Sequence, residues 1–137
     1  MVATVVVANP DESAREVIAR VVESGGSDAV RLDPATSPAD AVVASQADAA
    51  VLDLGADTLD AVAALRQRTE PVAATVRVVV LGAGPATGRL ALQAGADAYL
   101  QRPFHADELR TAIADALARP EAERSAWRTI ALANLDG

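Results

Sequence analysis

The sequence has no cysteine and no lysine, and only one residue each of His, Trp, Tyr and Phe in 137. The missing cysteine excludes disulfides, thiolate metal sites and thiol nucleophiles. A lone imidazole, His105, excludes a metal site built on a pair of histidines. Every basic side chain is an Arg, and twelve of them face 19 acidic residues, for a net charge of −7 and a pI near 4.6. A generic nucleic-acid surface needs a basic patch, so direct nucleic-acid binding is not expected. No apolar run approaches the ~20 residues of a membrane span. No charged-then-apolar leader precedes the first apolar run, and the expected location is the cytoplasm.

What is present is small and aliphatic. Hydrophobic residues make up 51% of the chain and aromatics 2%, so the core must be Ala, Val, Leu and Ile. The length suits one domain with a sizeable core. All-Arg usage with abundant Ala suggests a GC-rich coding bias, which weakens any argument from one Arg standing where Lys is expected.

Five apolar runs alternate with amphipathic segments. Residues 3–8 (ATVVVA) read as a buried strand, broken by Asn9-Pro10. Ser13 with Glu16 fits a capping box and Asp11 is the alternative cap; Ala14, Val17, Ile18, Val21 and Val22 then recur at helical spacing up to Gly25-Gly26. Residues 28–32 form a short strand. Ser37-Pro38 reads as the cap and first residue of a second helix. Residues 49–55 (AAVLDLG) are a strand ending in Asp53. A third helix, capped by Thr58 or Asp57, carries Leu59, Val62, Ala63 and Leu65. Residues 75–81 form the fourth strand, Leu90, Ala91 and Ala94 mark a fourth helix ending at Gly95, and residues 98–101 form the fifth strand. Residues 106–119 close the series with Leu109, Ile113 and Leu117 on one face. The pattern predicts a doubly wound α/β fold: a five-stranded parallel sheet covered by helices on both faces.

In such a sheet, ligands sit outside the carboxyl ends of the strands. The loops after strands one, three, four and five share that edge. They carry Asn9-Pro10-Asp11, Asp53, Gly82 and Arg102. A carboxylate ending a buried run is costly unless it is paired or opens into a cleft, which makes Asp53 the candidate site residue.

On these residues the chain resembles a two-component response-regulator receiver domain over residues 3–119. Val51-Leu52-Asp53-Leu54, with Asp60 beyond it, resembles the strand bearing the phosphoacceptor aspartate. Gly95-Ala96-Asp97-Ala98-Tyr99-Leu100 resembles the approach to the fifth strand. Arg102-Pro103-Phe104, then Glu108-Leu109, resembles the family's Lys-Pro-Phe and last helix. The resemblance implies the (βα)5 flavodoxin-like receiver fold, with a cis bond at Arg102–Pro103. It also implies a chemistry in which two acids after the first strand and the acceptor aspartate hold a divalent metal, a lysine adds charge, and a Ser or Thr after the fourth strand binds the new phosphoryl group while an aromatic follows it.

The sequence departs from that pattern. The acidic pair falls on Asn9 and Pro10, with Asp11 one place late. The hydroxyl falls on Gly82 and the lysine on Arg102. A proline usual in the loop after the acceptor falls on Asp57, and a glycine beyond it on Ala61. Only Asp53 and Tyr99 carry over. One carboxylate holds Mg²⁺ poorly, because hard cations want several oxygen ligands. The expectation is an atypical receiver with no catalytic residues and no cofactor, in which Asp53 is phosphoacceptor-like and Asn9, Pro10, Asp11, Gly82, Tyr99 and Arg102 form a degenerate pocket. One alternative is that Arg102 simply pairs with Asp53 in place of metal, a structural salt bridge. Tyr99 is either a rotamer switch or half-exposed packing.

The expected function is a phosphorylation-independent protein-interaction module in signal transduction, working through the surface of the fourth helix, fifth strand and fifth helix. Its partners would be proteins, a histidine kinase or a regulator among them. The alternative is a working acceptor, phosphorylated on Asp53 by a histidine kinase with Mg²⁺. A strand-loop-helix at residues 78–88 imitates a dinucleotide site, but its third glycine falls on Thr87 and no acid follows at a second strand end. His105 reads as a helix-start residue rather than a relay group.

Residues 120–137 extend past the receiver-like domain of residues 1–119. Pro120 suits a new helix start, and Trp127, Ile130, Ala131 and Leu135 make an apolar stripe. The tail is expected to dock as a helix on its own domain or on a second copy, with a homodimer the expected form; a frayed linker is the alternative.

Overall fold

The computed structural model describes residues 2–136, and side chains through residue 134. Five strands pair in parallel: β1 (Thr4–Ala8), β2 (Asp28–Arg31), β3 (Ala49–Leu52), β4 (Arg77–Gly82) and β5 (Ala98–Gln101). Their order is β2-β1-β3-β4-β5, so the chain reverses its direction of travel between β1 and β3. The helices are α1 (Glu12–Ser24), α2 (Pro38–Ser45), α3 (Thr58–Gln67), α4 (Pro71–Thr75), α5 (Pro85–Ala94), α6 (Ala106–Ala118) and α7 (Arg124–Asp136). None of them is long and apolar enough to cross a membrane, among the described residues.

The strands alternate between two cores, as a pleated strand must. Val6, Ala50, Leu52, Val78 and Val80 face α2, α3 and α5 with Val42, Val62, Leu65 and Leu92. Val5, Val7, Val51, Val79 and Leu81 face α1 and α6 with Ile18, Val22, Leu109 and Ile113. Burial on both faces explains why the central strands read as unbroken apolar runs.

Local signals set the element ends. Asp11, not Ser13, caps α1: its carboxylate accepts from the Ala14 N–H at 2.9 Å. The Ser37 hydroxyl accepts from the Asp40 N–H, with Pro38 first in α2. The third helix starts at Thr58 after a 3₁₀ turn at Gly55–Asp57, and the Thr58 hydroxyl accepts from the Leu54 N–H at 2.8 Å. Two expectations are corrected. Thr75 belongs to α4, a short helix begun by Pro71, and the fourth strand runs Arg77–Gly82. Val17 and Leu90, assigned to apolar helix faces, point to solvent.

The tail folds as α7 and docks on its own domain. Trp127 packs against both cores, and Ala131 and Leu132 against the α3–α5 side. The Arg119 guanidinium lies 3.8 Å from the centroid of the Trp127 ring, a cation–π contact. Ile130 does not join the buried stripe; it is 62% exposed and Leu132 takes its place. The Leu135 side chain lies outside the described residues.

A buried ionic cluster fastens α7. Asp97, at the start of β5, is 1% exposed. Arg124 grips both its oxygens, Nε to Oδ1 at 2.8 Å and Nη2 to Oδ2 at 2.9 Å. Arg66 adds a bond at 3.0 Å and the Val78 N–H one at 2.9 Å. Both guanidiniums also donate to carbonyls of α4 and of the residues that end α4 and α5: Arg124 to Ala74 and Val76, Arg66 to Ala73, Val76 and Gly95. Burial pushes the Asp97 carboxyl up, but the Arg124 bonds, the Val78 amide and the charges of Arg124 and Arg66 outweigh it. The carboxyl stays below its ordinary range and is ionised.

Candidate functional site

The carboxyl edge of the sheet gathers the predicted residues. Ala8 pairs with Leu52 at the ends of β1 and β3, and the Asp53 N–H donates to the Ala8 carbonyl at 2.9 Å. Asn9 and Asp53 therefore leave the sheet side by side, at the point where strand order reverses. The Asn9 amide donates to Asp53 Oδ2 at 3.1 Å. Asn9 is itself buried, and its Oδ1 accepts from the Asp11 N–H at 2.9 Å.

Arg102 arrives from the end of β5, two strands away. Its N–H donates to the Gly82 carbonyl at 2.8 Å, and its guanidinium reaches Asp53 Oδ2, also at 2.8 Å. Gly82 ends β4, the strand between, and presents no side chain to intervene. The Arg102–Pro103 bond is cis. Asp53 is 16% exposed and Arg102 46%, so the pair is screened by solvent and holds less energy than a buried one.

Pro10, Asp11 and the nearby Asp57 make no contact with the Asp53 carboxylate. The Asp11 carboxylate is taken by the α1 cap. Pro10 offers no side-chain ligand. Asp57 ends the 3₁₀ turn and is exposed. The donor set does not fit a divalent cation. The one carboxylate at the strand end is shared by an arginine and an amide on the same oxygen. No three His, Cys, Asp or Glu residues group closely enough to hold a metal, among the described residues.

Tyr99 lies inward over the loop after β4. Its hydroxyl donates to the Gly84 carbonyl at 2.7 Å. Its ring occupies space that two glycines leave: a Cβ on Gly88 would lie 2.4 Å from the ring, and one on Gly82 would lie 3.1 Å from both Tyr99 and Thr87. The place where a hydroxyl side chain was expected is thus filled by Tyr99 and Thr87. Burial raises the Tyr99 phenol above its ordinary pKa, with Arg102 opposing. His105 stands before α6, where its N–H donates to the Glu108 carboxylate at 3.0 Å.

Comparison with solved structures identifies the fold. A response regulator from Thermotoga maritima matches 87% of this chain and 100% of its own, at 18% identity and a TM-score of 0.73. The chemotaxis protein CheY4 from Vibrio cholerae matches 85% and 99%, at 15% identity and a TM-score of 0.72. The chain has the response-regulator receiver fold. NtrX from Brucella abortus matches 96% of this chain, at 21% identity and a TM-score of 0.69, and this chain spans 29% of that longer one. No protein-family model and no curated protein matches the sequence.

Sequence reasoning missed the Asp97 cluster. Its only local signal was an acid directly before a buried strand, with Arg124 and Arg128 one helical turn apart in the tail.

Proposed function

We propose that this receiver-like domain is a phosphorylation-independent protein-interaction module in signal transduction, with no enzymatic activity of its own. One observation carries the reading: Asp53 Oδ2 is bound by the Arg102 guanidinium at 2.8 Å and the Asn9 amide at 3.1 Å. A fixed cation already neutralises the acceptor-like carboxylate, and the neighbouring positions supply no further acid. Tyr99 supports the same reading. Its inward position rests on Gly84 and Gly88, not on a hydroxyl that a phosphoryl group would draw across. The partners fitting such a module are proteins of a signalling pathway, a histidine kinase or a regulator.

A working acceptor is the second reading, and Asp53 itself favours it. The carboxylate is 16% exposed, and no hydrogen bond reaches its Oδ1 among the described residues. Incubation with acetyl phosphate and Mg²⁺, followed by intact-mass measurement, separates the two. The interaction module shows no phosphoryl adduct. An adduct that disappears in Asp53→Asn establishes the acceptor.

A further inference from the structure

We propose that the pocket between the start of α7, the last turn of α3 and Gly95 binds a small dianionic oxyanion of the phosphate class. This goes beyond the interaction-module reading and does not involve Asp53. The pocket has a volume of about 330 Å³, and Arg66, Arg124, Arg128, Ser125 and Glu121 line it. Asp97 is buried behind them: Arg66 reaches its carboxylate at 3.0 Å and Arg124 at 2.8 Å, while Arg128 stands 3.8 Å off. Arg119 donates to the Asp97 carbonyl at 3.1 Å, and Arg77 reaches Glu121 at 3.3 Å. Five of the twelve arginines therefore gather at one corner of a chain whose net charge is −7. The acids facing them are Asp97, Glu121 and, toward Arg119, Asp115.

The three lining guanidiniums are not equivalent. Each nitrogen of Arg66 and Arg124 already has a protein acceptor. Arg128 is the unspent one. Its Nε donates to the Ala96 carbonyl at 3.2 Å, and its two terminal amino groups make no hydrogen bond among the described residues. The Ser125 hydroxyl, three residues before it on α7, also makes none among the described residues. A free guanidinium fork fits two oxygens of one ligand. Arg66 and Arg124 add charge rather than bonds. Three cations here face two carboxylates, and one of those, Glu121, is 61% exposed and screened by solvent. The charges of Arg124 and Arg128 already work against that of Arg66, and an anion relieves this repulsion. A dianion gains more from it than a monovalent carboxylate does. A small recess in a strongly acidic chain selects a small ion over a long polyanion. The bound ion would touch α7 through Arg128 and α3 through Arg66, and so fasten the tail to the domain.

The probe is inorganic phosphate, compared with sulfate, acetate and chloride at matched ionic strength, since salt alone screens these charges. The full chain is titrated while the backbone amides of Gly95, Ser125 and Arg128 are followed by NMR, with melting temperature measured in parallel. Phosphate and sulfate should shift those amides saturably and raise the melting temperature, because the ion binds the folded state. Acetate and chloride should do neither. Arg128→Gln, at a partly exposed position whose single hydrogen bond is to the Ala96 carbonyl, should weaken phosphate binding by at least ~tenfold. Arg20→Gln, which removes an exposed cation from α1, should leave binding unchanged. The proposal falls if no ion saturates, if acetate or chloride matches phosphate, or if Arg128→Gln binds as the wild type does. It falls too if Arg20→Gln weakens binding equally, because net charge alone then sets the affinity. Saturable shifts at Asp53, Gly82 and Arg102 in place of Ser125 and Arg128 would also overturn it, since the ion then occupies the other edge of the sheet.

Discussion

Two aspartates stand at opposite edges of one sheet. Asp97, before β5, is 1% exposed and is met by Arg124, Arg66 and the Val78 amide. Asp53, after β3, is 16% exposed and shares a single oxygen between Arg102 and Asn9. The difference separates a carboxylate that holds the fold from one that faces outward. Full burial is tolerable only with a complete set of charge and hydrogen-bond partners, and losing one partner strands the rest. A rim carboxylate with one cation is energetically cheap to keep and to change. Removing the acid that resembles a functional site should cost little, and removing the acid just before β5 should cost much more.

The largest expected effect breaks the buried side of the comparison. Asp97→Ala leaves Arg66 and Arg124 buried without their carboxylate, and should cost about 3–5 kcal/mol in a denaturant melt. Arg124→Ala should fall in the same range, because it also removes a donor from each of the Ala74 and Val76 carbonyls. A loss under about 1 kcal/mol would put Asp97 in the same class as a surface pair.

Acid sharpens the same side. The folded-state pKa of Asp97 lies below its ordinary value of 3.8. A lowered pKa stabilises the fold above the unfolded value, and that contribution is lost as pH falls through the folded one. Stability should therefore drop below pH 3.8, and the drop should be shallower in Asp97→Asn. Equal acid slopes in the two proteins would contradict the assignment.

How much of this was legible follows from range. Ser37-Pro38, Gly95 and the apolar runs of β1, β3 and β4 are local, and they place the fold. The short helix α4 was not legible, because five residues show no helical period. The pairing of Arg102 with Asp53 was legible as an alternative, since the fold brings both to one edge. Its geometry, with Asn9 on the same oxygen and Asp11 turned into a helix cap, was not. The Asp97 cluster joins residues 27 and 31 positions apart. No window of sequence contains it.

A third test lies between the two aspartates. Gly88→Ala puts a methyl group within 2.4 Å of the Tyr99 ring. Overpacking of that kind costs about 1–3 kcal/mol, or drives the ring outward. Either a lower melting temperature or increased Tyr99 exposure by NMR meets the expectation. A neutral variant with Tyr99 unmoved contradicts it.

The smallest effect belongs to Asp53. The reason is that an ion pair this exposed is worth about 1 kcal/mol or less. Asp53→Asn should change stability by no more than that in either direction. A loss near that of Asp97→Ala would make the rim pair a structural element and erase the comparison.

Titration with Mg²⁺ and beryllofluoride, followed through the backbone amides of Asp53, Gly82 and Arg102 by NMR, tests the central claim most directly. The Arg102 and Asn9 contacts to Asp53 predict no saturable change at these amides, and a change no larger in wild type than in Asp53→Asn. Saturation in wild type that disappears in Asp53→Asn would contradict it, and would return the domain to phosphoryl chemistry.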